Sequence, residues 1–411
     1  MNIPLSAPDI GDREIQYVTE VLRSKSLSLG PWVRRFEERI ADYVGMRYAV
    51  AANSGTSALH MCVRAMKIGA GDEVITTGFS FVASVNCLLY EGASPVFVDI
   101  KPDTLNIDPA AIREFLVKRC TRAADGRVIH RETGRTVKAI LPVHVFGLPC
   151  EMDAIGAIAQ EFGLSILEDA CEAIGARYAE KQAGTFGDAA VFAFYPNKQI
   201  TTGEGGIIVT NDSNIAEECR SLRNQGRDSD GRWLRHVRLG FNYRLSDMHC
   251  ALGVAQLERI DELLAMRRAV AAQYSFLLRG ETAVQLPRTQ HPATRSWFVY
   301  VIQLSNGPGS AFRDRIREQL SERGIASQVY FPAIYREPYI AEKTLSGLKH
   351  KLPHTDRAAD TCLALPFSSV LTDKEIRFVC SELSKALDEE TTEDHVAAAA
   401  PAPAPAPAQA S

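Results

Sequence analysis

Several absences bound this chain before any motif is considered. No run in its 411 residues approaches the ~20 consecutive apolar positions that a membrane-spanning helix needs. No basic stretch persists, and the formal net charge is -4, which argues against a nucleic-acid partner, whose phosphates demand a cationic surface. Nine cysteines, an odd number, lie singly between Cys62 and Cys380 with no CxxC pair, so neither a disulfide framework nor a zinc cage is indicated and the thiols read as reduced. The opening MNIPLSAPDIGDREIQ lacks the charged start and apolar run of a secretory signal, so a cytoplasmic location is expected. HExxH and GxxxxGK[ST] are both missing, so no metal site and no nucleoside triphosphatase is expected.

What is present reads as a globular α/β protein. Hydrophobic residues at 46% and charged residues at 23% are ordinary for folded chains, and the length asks for two units. PWVRRFEERIADYVG puts Pro31 at a helix start, sets Trp32, Phe36, Ile40 and Tyr43 on one face, and stops at Gly45. Short apolar runs follow at RYAVAAN, DEVITT, SPVFVDI, VKAILPVHVF, LSILEDA, AAVFAF and GGIIVTN, most of them separated by helical patterns. Alternation of this kind predicts a largely parallel sheet covered on both faces, with ligands at the carboxyl ends of its strands. Residues 246–279 form one long helical pattern, after which a small α+β unit is expected. The division is therefore 1–250 for the large unit, 251–388 for the bridging helix and small unit, and 389–411 for an Ala/Pro-rich tail expected to be disordered. The polar stretch 120–136 reads as a surface loop or hairpin.

Three places could carry chemistry. In VFAFYPNKQITTGEGGIIV, Lys198 follows a strand with no charge between Ala189 and Asn197, and Thr201, Thr202, Gly203, Gly205 and Gly206 let backbone approach a ligand. Alone, such a lysine is a surface charge. In a desolvated crevice its neutral amine is favoured, and that form attacks a carbonyl to make a Schiff base. In LSILEDACEAIGARY the strand ends on Glu168 and Asp169, which by itself suits a helix cap. Beside Lys198, Asp169 could keep a pyridine nitrogen protonated so that the ring of pyridoxal 5'-phosphate accepts electrons from a breaking Cα–H bond. In ANSGTSALH, Gly55, Thr56 and Ser57 open a helix, and their N–H groups and hydroxyls suit a phosphate as well as a simple cap. Amine, carboxylate and phosphate cradle each fall at the end of an expected strand, on one edge of one sheet. His144, within VHVFG, has no paired spacing and reads as a satisfied core or cofactor-adjacent residue.

The motifs SGTSAL, FSFVAS, TLNIDP, EDACEAIGA, GTFGD, FYPNKQITTGEGG, LRNQG and GFNYRLSD occur in that order. From about residue 3 to 388 the chain resembles the DegT/DnrJ/EryC1/StrS family of pyridoxal-phosphate sugar aminotransferases. The resemblance implies the aspartate aminotransferase-like fold (pyridoxal-phosphate fold type I), with a large, mostly parallel-sheet domain and a small C-terminal α+β domain. It implies that Lys198 is the Schiff-base lysine and proton shuttle, that Asp169 holds the ring nitrogen, and that Gly55, Thr56 and Ser57 hold the phosphate. It also implies that Phe81 stacks on the ring, where sequence alone suggests core packing, and that Glu172 lies near the ring hydroxyl, where many members carry His or Gln. Asn242 matches a residue that reaches the neighbouring subunit's cofactor phosphate, implying a homodimer with shared sites, although a turn residue explains it equally. Ala193 stands where a phosphate-binding serine is common, a loss of about 1 kcal/mol of hydrogen bonding. Tyr335 stands near the place of a histidine in many relatives. The implied activity moves an amino group from L-glutamate to a nucleotide-linked keto-deoxysugar, with a 4-keto-6-deoxyhexose as the best match, for lipopolysaccharide, capsule or glycosylated-metabolite synthesis. A keto-cyclitol such as an inosose is the alternative substrate, and a non-catalytic regulatory protein that kept the fold is the alternative of another class. A dehydrating branch of the family carries histidine at the lysine position, and Lys198 argues against it.

Overall fold

The computed structural model describes residues 1–228, 234–305, 309–344 and 351–399. Seven strands form the spine of the main sheet: β1 (Tyr48–Ala52), β2 (Asp72–Thr77), β3 (Ser94–Val98), β4 (Thr136–Leu141), β5 (Ser165–Asp169), β6 (Ala189–Ala193) and β7 (Gly206–Thr210). They lie in the order β1-β7-β6-β5-β4-β2-β3. Every neighbouring pair from β6 to β3 is parallel, while β7 runs antiparallel to both β6 and β1. The reversal has a local cause. A parallel return needs a crossover of a dozen or more residues, usually a helix, and residues 194–205 between β6 and β7 hold only the lysine-bearing loop.

Alternate residues of each strand feed opposite cores. Val191 and Ile208 pack with Leu59, Cys62, Ala216 and Leu222 from helices Gly55–Ala65 and Ser213–Arg223. Phe192, Ile207 and Val209 pack on the other face with Phe36, Ile40 and Val254 from helices Pro31–Val44 and Asp247–Glu258. The first of these helices starts at Pro31 and ends at Gly45 (φ +83°), as its sequence predicts. The stretch 120–136 is a hairpin: Cys120–Arg122 pairs with Val128–His130, which adds antiparallel to β4. It is partly buried, with His130 Nδ1 2.8 Å from the Glu73 carboxylate and Thr133 donating to the same group at 2.8 Å.

Other boundaries move for tertiary reasons. The helical pattern 246–279 breaks at Arg259 (φ -112°, ψ 9°) into Asp247–Glu258 and Ile260–Leu277, where the Arg259 guanidinium pairs with Asp9, Glu14 and Glu262 at 3.1–3.3 Å. The C-terminal unit carries an antiparallel sheet of Val284–Gln285, Tyr300–Leu304, Cys362–Leu365 and Gln328–Val329, in that spatial order. Just ahead of Tyr300 the chain is not part of this sheet, and there the Ser296 N–H is taken by Gly147 O at 2.9 Å. Ile3 also belongs to this C-terminal core, with its N–H on Gly324 O at 2.8 Å, while Leu5 packs against the core of the main sheet, so the first residues bridge the two units. The last described helix is Asp373–Ala399, which corrects the expectation of a disordered segment from 389. Glu390 is buried against Arg315 and Gln319, and alanine is the strongest helix former. The remainder of that tail lies outside the described residues.

Gly147 joins the two units at close quarters. It sits at φ +75°, and a Cβ there would come 1.8 Å from Ser296 O and 2.8 Å from Glu172 O. Gly147→Ala should therefore cost about 3 kcal/mol or more through backbone strain and overpacking, seen as a large drop in the thermal midpoint. A melting curve like that of the parent would show that the joint can yield.

Candidate active site

Strand periodicity sends the two acids at the end of β5 to opposite faces. Glu168 is wholly buried in a structural knot: its carboxylate accepts N–H groups of Gly184, Phe186 and Gly187 at 2.7–2.9 Å and lies 2.9 Å from His144 Nε2. His144 Nδ1 accepts the Cys150 N–H at 3.1 Å, so the imidazole is a satisfied core residue. Asp169 turns the other way. One of its oxygens accepts the Ser84 hydroxyl at 2.6 Å and the other the Cys171 N–H at 3.1 Å.

Lys198 sits in the β6–β7 return with its N–H on Tyr195 O at 2.9 Å. Its side chain is 13% exposed, with Nζ 3.4 Å from Glu172 Oε1 and 4.2 Å from the centre of the Phe298 ring. Glu172 Oε2 accepts the Phe146 N–H at 2.9 Å. Burial pushes the Glu172 carboxyl above its ordinary range, against the pull of Lys198 and the Phe146 N–H. Burial, reinforced by the Asp169 charge, pushes the neighbouring Cys171 thiol well up, so it stays protonated. Gln199 Nε2 donates to Glu172 O at 2.6 Å and to Ser296 O and Oγ at 3.0 Å, tying the lysine loop to the C-terminal unit.

The helix opening at residue 55 abuts this cluster. A Cβ on Gly55 would meet Ala193 Cβ at 2.8 Å and Cys171 Sγ at 3.0 Å, and one on Gly206 would meet Ser54 O at 2.4 Å. Ser54 caps the helix, accepting the Ser57 N–H at 3.1 Å and donating its hydroxyl to Ser57 Oγ at 2.9 Å. Thr56 and Ser57 remain partly exposed. At the Gly55 contact Ala193 offers only a methyl group and no hydrogen bond. Phe81 is 59% exposed, which rules out core packing; Phe79 is the buried one. Its carbonyl accepts the N–H of Ser84 at 3.3 Å, which places Phe81 one turn from the hydroxyl that holds Asp169. Asn242 is exposed, its backbone bridged to Asn224. Tyr335 gives its hydroxyl to Asp356 at 2.6 Å and packs its ring where a Cβ on Gly78 would stand.

Asp169, Lys198, Glu172 and the 55–57 opening thus form one contiguous group. Sequence reasoning missed Ser84, Tyr330, Phe298 and Arg267. Ser84 was legible as the residue four after Ser80 in FSFVAS, to which it hydrogen-bonds at 2.9 Å. Tyr330, which receives Asn197 Nδ2 at 3.2 Å and whose hydroxyl burial pushes up to about 12, had no local signal. A cavity of 760 Å³ bordered by Leu286, Arg288, His354 and Arg357 lies elsewhere; none of the clustered residues lines it.

A family profile described as "DegT/DnrJ/EryC1/StrS aminotransferase family" matches residues 8–384. The chain belongs to this family. It is 37% identical to GDP-perosamine synthase of Caulobacter vibrioides over 94% of this chain and 98% of that protein. Among solved structures it resembles Helicobacter pylori PseC, an aminotransferase of pseudoaminic acid biosynthesis (TM-score 0.85, 29% identity, 95% of this chain and 100% of that one). It also resembles the sugar aminotransferase Spr1654 of Streptococcus pneumoniae in its PMP form (TM-score 0.86, 25% identity, 96% and 100%). The chain is therefore a sugar aminotransferase of fold type I that uses pyridoxal phosphate. The residues present fit that cofactor: one buried amine, the two buried carboxylates of Asp169 and Glu172, and a helix opening that glycines keep clear, with Asn53 Oδ1 and Asn197 Oδ1 buried and unpartnered among the described residues.

The aminotransferase's Ser84 gives a direct test. Hydrogen bonds to charged groups contribute about 1.5–3 kcal/mol, so Ser84→Ala should weaken pyridoxal phosphate binding by about 10- to 100-fold. Absorbance titration of the cofactor-stripped variant measures this, and an unchanged dissociation constant would remove the hydroxyl from the account.

Proposed function

We propose that the enzyme passes the amino group of L-glutamate to the keto carbon of a nucleotide-linked 4-keto-6-deoxyhexose, in the cytoplasm, for lipopolysaccharide, capsule or glycosylated-metabolite synthesis. The observation that carries this reading is the buried cluster in which Lys198 and Asp169 are joined through Glu172 and Cys171. The name of the Caulobacter relative, a GDP-linked sugar synthase, supports a nucleotide-sugar substrate.

Pyridoxal phosphate, when bound, supplies an aldehyde for an amine to capture and a ring that takes up electrons from a Cα–H bond. Lys198 Nζ would be the amine that holds the cofactor and would also carry the proton moved in each half-reaction. Glu172 would pair with the amine in its ammonium form, and the Phe298 face would stabilise that charge. Asp169 would hold the ring nitrogen, its two oxygens already aligned by Ser84 and Cys171. Gly55, Thr56 and Ser57 would bind the phosphate through the helix opening, and Phe81 would cover the ring. The exposed Asn242 would serve the site of a second copy, which makes a homodimer the active form.

The purified protein should be yellow and should bleach with glutamate. Lys198→Ala should lose both properties and about 10⁴-fold of its rate. A panel of nucleotide-linked keto-sugars, with a keto-inosose beside them, should show turnover on the former; turnover on the inosose alone would overturn the substrate assignment. For the dimer, Lys198→Ala and Asn242→Ala chains that are inactive apart should regain activity on mixing, because one site of each mixed pair is intact. No recovery on subunit exchange would place Asn242 outside the neighbour's site.

A further inference from the structure

Arg267 lies on helix Ile260–Leu277 and is only 2% exposed, yet among the described residues no carboxylate contacts its guanidinium. A buried charge is normally paired, because removing it from water is costly. Here Nη2 donates to the carbonyl of Lys198 at 2.8 Å and Nη1 to the carbonyl of Phe298 at 3.2 Å, while Nε finds no partner. Burial pulls the guanidinium pKa down to about 10, which still leaves it charged at neutral pH. Phe298 is also the residue whose ring lies 4.2 Å from Lys198 Nζ. One planar group therefore grips the backbone of the lysine and the backbone of the aromatic residue against its ammonium.

We propose that Arg267 is a positioning residue for Lys198: its guanidinium fork locks the lysine's main chain to Phe298 and so aims the amine. This rests on the reading of Lys198 as the reacting amine. The fork suits the task because arginine presents several donors in a rigid plane, whereas a lysine at 267 would offer a mobile point charge that cannot span both carbonyls in one fixed geometry. The loop carrying Lys198 has no helix to stiffen it. Its other ties run from neighbouring residues: Gln199 to Ser296, Asn197 to Tyr330 and the Thr201 N–H to Gln256. Without the fork the carbonyls of Lys198 and Phe298 lose their arginine donor, and among the described residues no tie to the C-terminal unit acts on the lysine's own main chain; those that remain act on Asn197, Gln199 and Thr201. Arg267 touches no reacting atom, so its effect is one of alignment.

The test uses full-length parent, Arg267→Lys and Arg267→Ala, each stripped of cofactor, mixed with pyridoxal phosphate and reduced with borohydride at timed intervals. Peptide mapping then shows which lysine is labelled and how fast. With native-like circular dichroism, both variants should label Lys198 about 10- to 100-fold more slowly than the parent, the scale expected of a misplacement near 1 Å. Their kcat should fall in step while KM for the amino donor changes little. Added guanidinium ion should partly restore the labelling rate of Arg267→Ala. Parent-like labelling in a folded Arg267→Ala would overturn the proposal. So would loss of native circular dichroism in both variants, which would make Arg267 a structural post. A label on some other lysine in the parent would instead remove the reading of Lys198, and the inference with it.

Discussion

The period-two alternation of β5 at its last two residues is the constraint on which the site depends. Two adjacent carboxylates could not share one pocket without strong mutual repulsion, and the strand separates them by directing them to opposite faces. Glu168 then serves the fold, gathering three loop N–H groups and His144. Asp169 points to the opposite face, with Ser84 and Cys171 fixing its oxygens. A one-residue slip would exchange the two, placing Glu168 beside Ser84 and Asp169 among the loop N–H groups.

The reversal of β7 is the second element. Because the chain returns directly from β6, the lysine lies in a loop held at both ends by one sheet, and β7 begins at Gly206 against the carbonyl of Ser54. The helix opening at residue 55 and the lysine loop are thereby brought together by backbone packing. Their approach leaves no space for a Cβ at Gly55 or Gly206, which gives these two glycines a steric role beyond flexibility.

Hydrogen bonds link polar groups of this interior across the two units. Gln199, Ser296, Phe146 and Glu172 form a continuous set of hydrogen bonds, and Arg267 and Arg295 bond backbone carbonyls in place of carboxylates. Such networks hold one geometry because every member left unpaired carries a desolvation cost. The C-terminal unit thus contributes to the candidate site, placing Phe298 against the lysine and Tyr330 against Asn197.

The sequence by itself determined the alternating elements of the main sheet, the helix from Pro31 to Gly45, the family, and the positions of Lys198, Asp169 and the 55–57 opening. These are legible because hydrophobic period, capping residues and motif order are local properties. Only the tertiary structure decided that Ile3 packs in the C-terminal core, that the long helical pattern breaks at Arg259, that the Ser296 N–H turns to Gly147, and that the helix from Asp373 continues past 389. It alone brought Ser84, Phe298, Tyr330 and Arg267 to the site. Each of these outcomes depends on a partner distant in the chain, such as Gly324 for Ile3, Gly147 for Ser296 and Lys198 for Arg267. Pairing of that kind is set by the folded packing of the whole molecule, which no local pattern encodes.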